Sequence, residues 1–135
     1  MLTTVFLTIA LMIVATACKS GGDNKADTKG LLEGKTFTAE IKESGKDGET
    51  TPDEIIFTDG TFHSADCDQH GFEPSSYEAR EDDGMILFTS TSTSAAEGKI
   101  DWKGMVTGNS IKGIFIWQKE GQNPITYQFS GKLKE

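Results

Sequence analysis

The chain has 135 residues and a formal net charge of −8. This length leaves room for one domain, which buries roughly two-thirds of its unfolded surface and so forms a modest core without disulfides. Between residues 47 and 83 there are twelve acidic side chains and one basic side chain. Nucleic acid is therefore excluded as an expected partner, because phosphate binding needs clustered lysine and arginine.

The first eighteen residues have the pattern of an export signal. Val5 to Ala17 is an uncharged run, too short for a transmembrane helix of about 20 residues, and it fits the apolar segment of a signal peptide. The run ends in Ala15-Thr16-Ala17-Cys18, which resembles the lipobox of bacterial lipoproteins. The resemblance implies that residues 1–17 are removed and that Cys18 carries the lipid. No lysine or arginine precedes the run, and an uncut membrane anchor is the alternative.

Residues 18–30 form a polar segment between the lipidated cysteine and the expected domain. Lys19 to Lys25 is rich in Gly, Lys and Asp, a composition typical of a flexible tether. The lipid anchor predicts a location in the cell envelope, on the outer membrane where the organism has one, with the domain outside the cytoplasm. If Cys18 is acylated, Cys67 is the cysteine left in the domain, and we expect it to pack as a buried thiol.

The domain, residues 31–135, is expected to be all-β. Polar and apolar residues alternate with a period of two after Gly34, as in Phe37, Ala39 and Ile41. Eight strands are predicted near residues 35–42, 53–58, 61–66, 76–82, 85–92, 98–107, 110–118 and 124–133. This arrangement favours an antiparallel up-and-down barrel or a strongly curled sheet, with a β-sandwich as the second choice.

Three short turns predict the register of the hairpins. Asp59-Gly60 and Asp83-Gly84 have the residues of two-residue type I′ turns, and Gly108-Asn109 suits a type II′ turn. The first turn pairs Phe57 with Phe62 and Ile55 with Ser64. The third predicts four pairs on one face of the sheet: Val106 with Ile111, Gly104 with Gly113, Trp102 with Phe115, and Ile100 with Trp117.

The closing third of the chain carries a second resemblance. The layout of eight short strands joined as hairpins resembles the lipocalin-like or calycin class of small barrels. The closing pattern also resembles uncharacterised small bacterial lipoproteins, in the residues Trp102-x-Gly104-x-Val106-x-Gly108, Gly113, Trp117 and Tyr127-x-Phe129-x-Gly131. The resemblance implies a barrel. It implies no particular activity.

The predicted inner face is aromatic. An eight-stranded barrel has an interior just wide enough for its own side chains or for one small ligand. Both a filled core and an apolar pocket remain open at this point. The candidate ligand-binding residues are Trp102, Phe115, Trp117, Tyr127 and Phe129. On the outer face, Ile114 and Ile116 should lie beside Lys103 and Asp101, where a loop covers them or they form a small docking patch.

Residues 63–73 hold the densest set of chemically active side chains. The candidate metal ligands are Cys67, His70, Asp66 and Asp68, which resemble parts of zinc and EF-hand calcium sites. Cys67 with His70 also has the residue types of a nucleophilic pair. His63 and Cys67 should lie about 13 Å apart on one extended strand, so they cannot share a metal unless that strand ends early. The simpler expectation is a polar connection, turned by Gly71 and ended by Pro74, with no metal and no cofactor.

Three functions follow as hypotheses. The first is a lipid-anchored envelope barrel, not an enzyme, that binds a small apolar ligand or an envelope protein. The second is an inhibitor of an envelope or host hydrolase such as a lysozyme, because an acidic face suits a basic enzyme. The third is a metal-binding or enzymatic site at Cys67 and His70.

Overall fold

A computed structural model describes residues 28–135, which form a closed barrel of eight antiparallel strands in sequential order. This confirms the predicted up-and-down barrel, and the β-sandwich does not form. The strands are β1 Thr36–Glu43, β2 Thr51–Thr58, β3 Thr61–Ser64, β4 Ser75–Asp82, β5 Met85–Ser94, β6 Gly98–Thr107, β7 Ser110–Gln118 and β8 Ile125–Leu133. A 3-10 helix at Thr28–Leu31 precedes β1, and a short helix α1, Ala65–Asp68, follows β3.

The three predicted turns are confirmed. Asp59 and Gly60 have φ angles of 52° and 73°, and Asp83 and Gly84 have φ angles of 51° and 79°. Two successive positive φ values are the requirement of a type I′ turn, whose twist matches that of the flanking strands. Gly108 has a φ of 56°, in line with the first central position of a type II′ turn. Tight turns therefore connect the strands at one end of the barrel.

The predicted pairs are also confirmed. Phe57 pairs with Phe62 and Ile55 with Ser64 between β2 and β3. All four pairs predicted between β6 and β7 are present. Because directly opposed residues share a face, this register places the aromatic residues of the last three strands inside the barrel.

The third strand differs from its predicted range of 61–66. β3 ends at Ser64, and the next four residues form α1. Ser64 is the N-cap, since its backbone is extended (φ −107°, ψ 128°) and its side chain accepts a hydrogen bond from the Cys67 N–H. The premise that His63 and Cys67 lie on one extended strand was therefore wrong. A four-residue helix is too short to show a helical repeat of apolar residues.

Different segments cover the two ends of the barrel. At the end with the tight turns, Leu32 is fully buried, and the Gly34 N–H donates to the Phe57 carbonyl over 2.8 Å. At the other end, α1 and the connection to β4 bury Cys67 and Phe72. The interior between them is a continuous set of aromatic rings. Its rings belong to Phe37, Phe57, Phe62, Tyr77, Phe88, Trp102, Phe115, Tyr127 and Phe129.

Candidate functional site

Asp53 organises the connection that was predicted to hold the chemistry. Its side chain points into the barrel from β2 and is buried. One carboxylate oxygen accepts hydrogen bonds from the backbone N–H groups of Glu54, at 2.7 Å, and Asp66, at 2.9 Å. The other accepts from the Ser64 hydroxyl, which in turn caps α1. Asp53 thus holds the first turn of α1 against the barrel.

Burial raises the pKa of Asp53 above its ordinary value, while the hydrogen bonds from Ser64 and the two N–H groups oppose this shift. The sequence showed only an aspartate at the start of a strand. Its burial depends on the fold of α1, thirteen residues away along the chain.

Cys67 and His70 are placed differently from each other. The Cys67 thiol is buried, and burial raises its pKa to about 12, because a thiolate is poorly solvated there. His70 is exposed, and its backbone carbonyl accepts a hydrogen bond from the Ser94 hydroxyl at 2.9 Å. A reactive cysteine needs a lowered pKa, so this geometry gives Cys67 the properties of a packing residue.

The candidate metal ligands do not converge. Among residues 28–135, no group of three or more His, Cys, Asp and Glu side chains is arranged to hold a metal ion. Asp68 instead pairs with His63, with 2.7 Å between Oδ2 and Nδ1. Asp66 uses its backbone N–H to bind Asp53 and accepts a 3.4 Å hydrogen bond from the Gln69 side chain.

The five candidate ligand-binding residues lie on the inner face and mostly contact one another. The Trp102 and Phe115 rings are 4.2 Å apart, and the Phe115 and Tyr127 rings stack at 4.8 Å. Phe129 packs edge-on to Trp102 at 5.6 Å. Trp117 is half-buried, and its indole N–H donates to the Glu97 carbonyl over 2.7 Å. These rings are occupied in packing the barrel wall.

The inner face of β5 is polar beyond Phe88. Ser90, Ser92 and Ser94 are buried, and the Ser75 hydroxyl contacts those of Ser90, at 2.8 Å, and Ser92, at 3.3 Å. Most of these hydroxyls bond to one another or to backbone carbonyls, so they stabilise the barrel end beneath α1. The buried indole N–H of Trp102 has no hydrogen-bond partner.

The outer wall formed by β1 and β5 to β8 contains an open groove. Two adjoining depressions, of about 780 and 670 Å³, share Glu40, Met105, Lys112 and Ser130 as lining residues. The register places Lys112 between Met105 and Ser130, and Ile114 between Lys103 and Gln128. The prediction that Ile114 lies outside beside Lys103 is thus confirmed, and Ile114 is 39% exposed. We call this surface the outer groove.

Glycines on the inner face bring two aromatic rings against the backbone of β6 and β7. Gly104 pairs with Gly113, and Gly113 pairs with Phe129. A Cβ atom at Gly104 would lie 2.4 Å from the Phe88 ring, and one at Gly113 would lie 2.6 Å from the Cα of Gly104. The missing side chains therefore allow two rings to lie directly against the backbone. Such glycines introduce curvature into a sheet.

The outer groove is basic although the chain is acidic. The outward-facing charged residues of β1 and β5 to β8 are Lys42, Lys99, Lys103, Lys112, Lys132, Glu40 and Asp101. Lys99 pairs with Asp101, and the other lysine ion pairs among residues 28–135 involve Lys46, Lys119 and Lys134. Lys103 and Lys112 therefore face the groove without a carboxylate partner. The outward positions of Ile114 and Lys103 were predictable from alternation, but the outer groove was not, because the shape of the wall is not visible in a pattern of alternation.

Several predictions fall outside the described residues. They are the export signal of residues 1–17, the lipidated Cys18 and the tether up to Asp27. From Thr28 onward, no helix is long and apolar enough to cross a membrane.

Comparison with known proteins found no relative of this chain. The chain matches no known protein family, no curated protein and no solved structure.

Proposed function

We propose that the protein is a lipid-anchored barrel of the cell envelope that binds an anionic partner through its outer groove. The lipid anchor is supported by the Ala15-Thr16-Ala17-Cys18 pattern after an apolar run. Binding at the groove is supported by one observation above the others. Lys103 and Lys112 alternate with Met105 and Ile114 across two neighbouring strands, in a chain of net charge −8.

The physical case for the groove rests on what its residues offer a ligand. The side chains of Met105 and Leu87, which pair directly, give an apolar floor beside the two lysines. A ligand with an apolar part and an anionic group would satisfy both features at once. The inner face offers less, because its rings already pack against one another at 4.2–6.5 Å.

An anionic fluorescent amphiphile, 8-anilinonaphthalene-1-sulfonate, tests the groove. The double variant Lys103→Gln/Lys112→Gln should bind this dye about tenfold more weakly, because two favourable charge contacts are worth about 1.4 kcal/mol in total. Fluorescence titration at low salt gives the dissociation constants. Lys46→Gln/Lys134→Gln is the matched control, since it removes two lysines from elsewhere on the surface.

The same titration tests the alternative that a ligand binds inside the barrel. If Trp117→Leu weakens dye binding while the groove variant binds like the wild type, the ligand enters the barrel and the groove proposal fails. The anchor is tested separately by labelling growing cells with palmitate, and a Cys18→Ser variant that is still labelled would contradict it.

A second candidate function is inhibition of a basic hydrolase, and one observation favours it. Most of the acidic side chains between residues 47 and 83 lie on the side of the barrel formed by β2 to β4 and α1, whereas Asp47 and Glu49 lie in the loop between β1 and β2, whose Thr50 lines the outer groove. This side would attract a cationic enzyme such as a lysozyme. A lysozyme activity assay with the purified protein tests it, and full activity at a tenfold molar excess of the barrel would exclude it.

A further inference from the structure

We propose that the outer groove contacts anionic phospholipid headgroups of the membrane to which the chain is anchored. This inference rests on the proposed function and names the partner of the same groove. The residues that carry it are Lys103, Lys112, Met105 and Ile114, together with the end of the barrel at which the chain enters.

The outer groove is complementary in charge to anionic headgroups. Lys103 and Lys112 are exposed and project from neighbouring strands, with Met105 and Ile114 between them. Lysines at a membrane surface bind anionic headgroups, and their attraction falls off within a Debye length of about 8–10 Å. Apolar side chains beside them add affinity when they enter the boundary between headgroups and acyl chains.

The outer groove reaches the end of the barrel at which the chain enters. β1 begins at Thr36, at the same end of the barrel as the turns at Asp83-Gly84 and Gly108-Asn109. Met85 and Lys132 line the groove at this end. The segment before β1 covers this same end, with its 3-10 helix against β4, so the chain enters the barrel at the end where Met85 and Lys132 line the groove, on the β4 side.

The segment between Cys18 and Thr28 limits the distance between the barrel and the membrane. Nine residues separate Cys18 from Thr28, and a chain of that length spans about 30 Å at full extension. The anchor thus keeps the barrel within one barrel length of the bilayer. At that distance, a lysine-rimmed apolar surface meets headgroups at high local concentration.

The test uses the full acylated chain in vesicles, with a bimane probe on Ile114→Cys. Cys67 is only 8% exposed, so it reacts with the label far more slowly than a cysteine at the exposed position 114. The matched control is Ser76→Cys, on the exposed outer face of β4. The vesicles contain phosphatidylcholine alone or with 30% phosphatidylglycerol, and a headgroup spin label on the lipid quenches the probe.

We expect the position-114 probe to be quenched at least twofold more than the position-76 probe in the anionic vesicles. The difference should disappear in phosphatidylcholine alone and when Lys103→Glu/Lys112→Glu is added. Equal quenching of the two probes on vesicle-attached protein would overturn the inference and leave the groove to an acidic protein partner, with the anchor intact. If the protein does not float with the vesicles in a density gradient, the lipid anchor is contradicted, and so is the inference that depends on it. Circular dichroism of each variant checks that the barrel is folded.

Discussion

Asp53 makes the stability of the barrel depend on pH. Because burial raises its pKa in the folded state above the ordinary value of 3.8, the folded chain binds the proton more tightly than the unfolded chain. Its contribution to stability is therefore complete below about pH 3.8 and is lost as the pH rises through the folded-state pKa. In Asp53→Asn this loss is absent, so the variant should gain stability relative to the wild type as the pH rises from 3.5 to 7.

Urea unfolding at several pH values measures this difference. Asp47→Asn, in the exposed loop between β1 and β2, is the control for loss of one negative charge. Parallel pH profiles for the wild type and Asp53→Asn would contradict the raised pKa of the Asp53 carboxyl. An overall offset between them is expected, because an amide cannot accept all three hydrogen bonds that the carboxylate accepts.

Individual residues show where the sequence was sufficient and where it was not. Inward positions such as Phe115 followed from alternation, because the period of a strand fixes the face of every side chain. The hydrogen bonds of Asp53 did not follow from alternation, because their donors include Ser64, the N-cap of α1, and Asp66 within α1. A serine at position 64 followed by Asp66 and Asp68 was the available signal for a helix start, since serine is a preferred N-cap and acids suit the first turn.

Among the strands, the turn residues carried most of the prediction. Asp-Gly and Gly-Asn fix both the turn type and the register, so the hairpins of β2–β3, β4–β5 and β6–β7 were predictable. The packing of rings over Gly104 and Gly113 was not, because it depends on which side chains of other strands lie there. The outer groove was not predictable either, because it depends on the three-dimensional shape of the wall.

The close approach of β6 and β7 predicts a large effect for a single methyl group. A Cβ at Gly113 would lie 2.2 Å from the Lys103 carbonyl oxygen and 2.7 Å from the Phe129 ring. Backbone cannot move aside as a side chain can, so Gly113→Ala should cost about 2 kcal/mol and lower the melting temperature by roughly 10 °C. Gly48→Ala, with open space around it, is the control. Equal melting temperatures for the two variants would show that the strands separate without strain.

Closure of the barrel depends on the two ends of the domain meeting. β1 pairs with β8 over seven residues, and the Lys134 N–H donates to the Thr36 carbonyl at 2.8 Å. A chain lacking β8 would leave β1 and β7 as open edges. We therefore expect the closed barrel to unfold as one cooperative unit. Its stability should depend on which strands are neighbours more than on the order of the strands along the chain.

A circular permutant tests this dependence on neighbours. Joining Glu135 to Thr28 by a Gly/Ser linker of about eight residues, and opening the chain between Gly121 and Gln122 in an exposed loop, keeps every strand pair. It should unfold cooperatively, with a melting temperature within about 5 °C of that of residues 28–135, because about 1 kcal/mol at most is lost at one loop. A chain of residues 28–121, which lacks both pairings of β8, should show no cooperative transition by circular dichroism. A folded 28–121 fragment, or a permutant that does not fold while 28–135 does, would mean that stability resides in local hairpins rather than in closure.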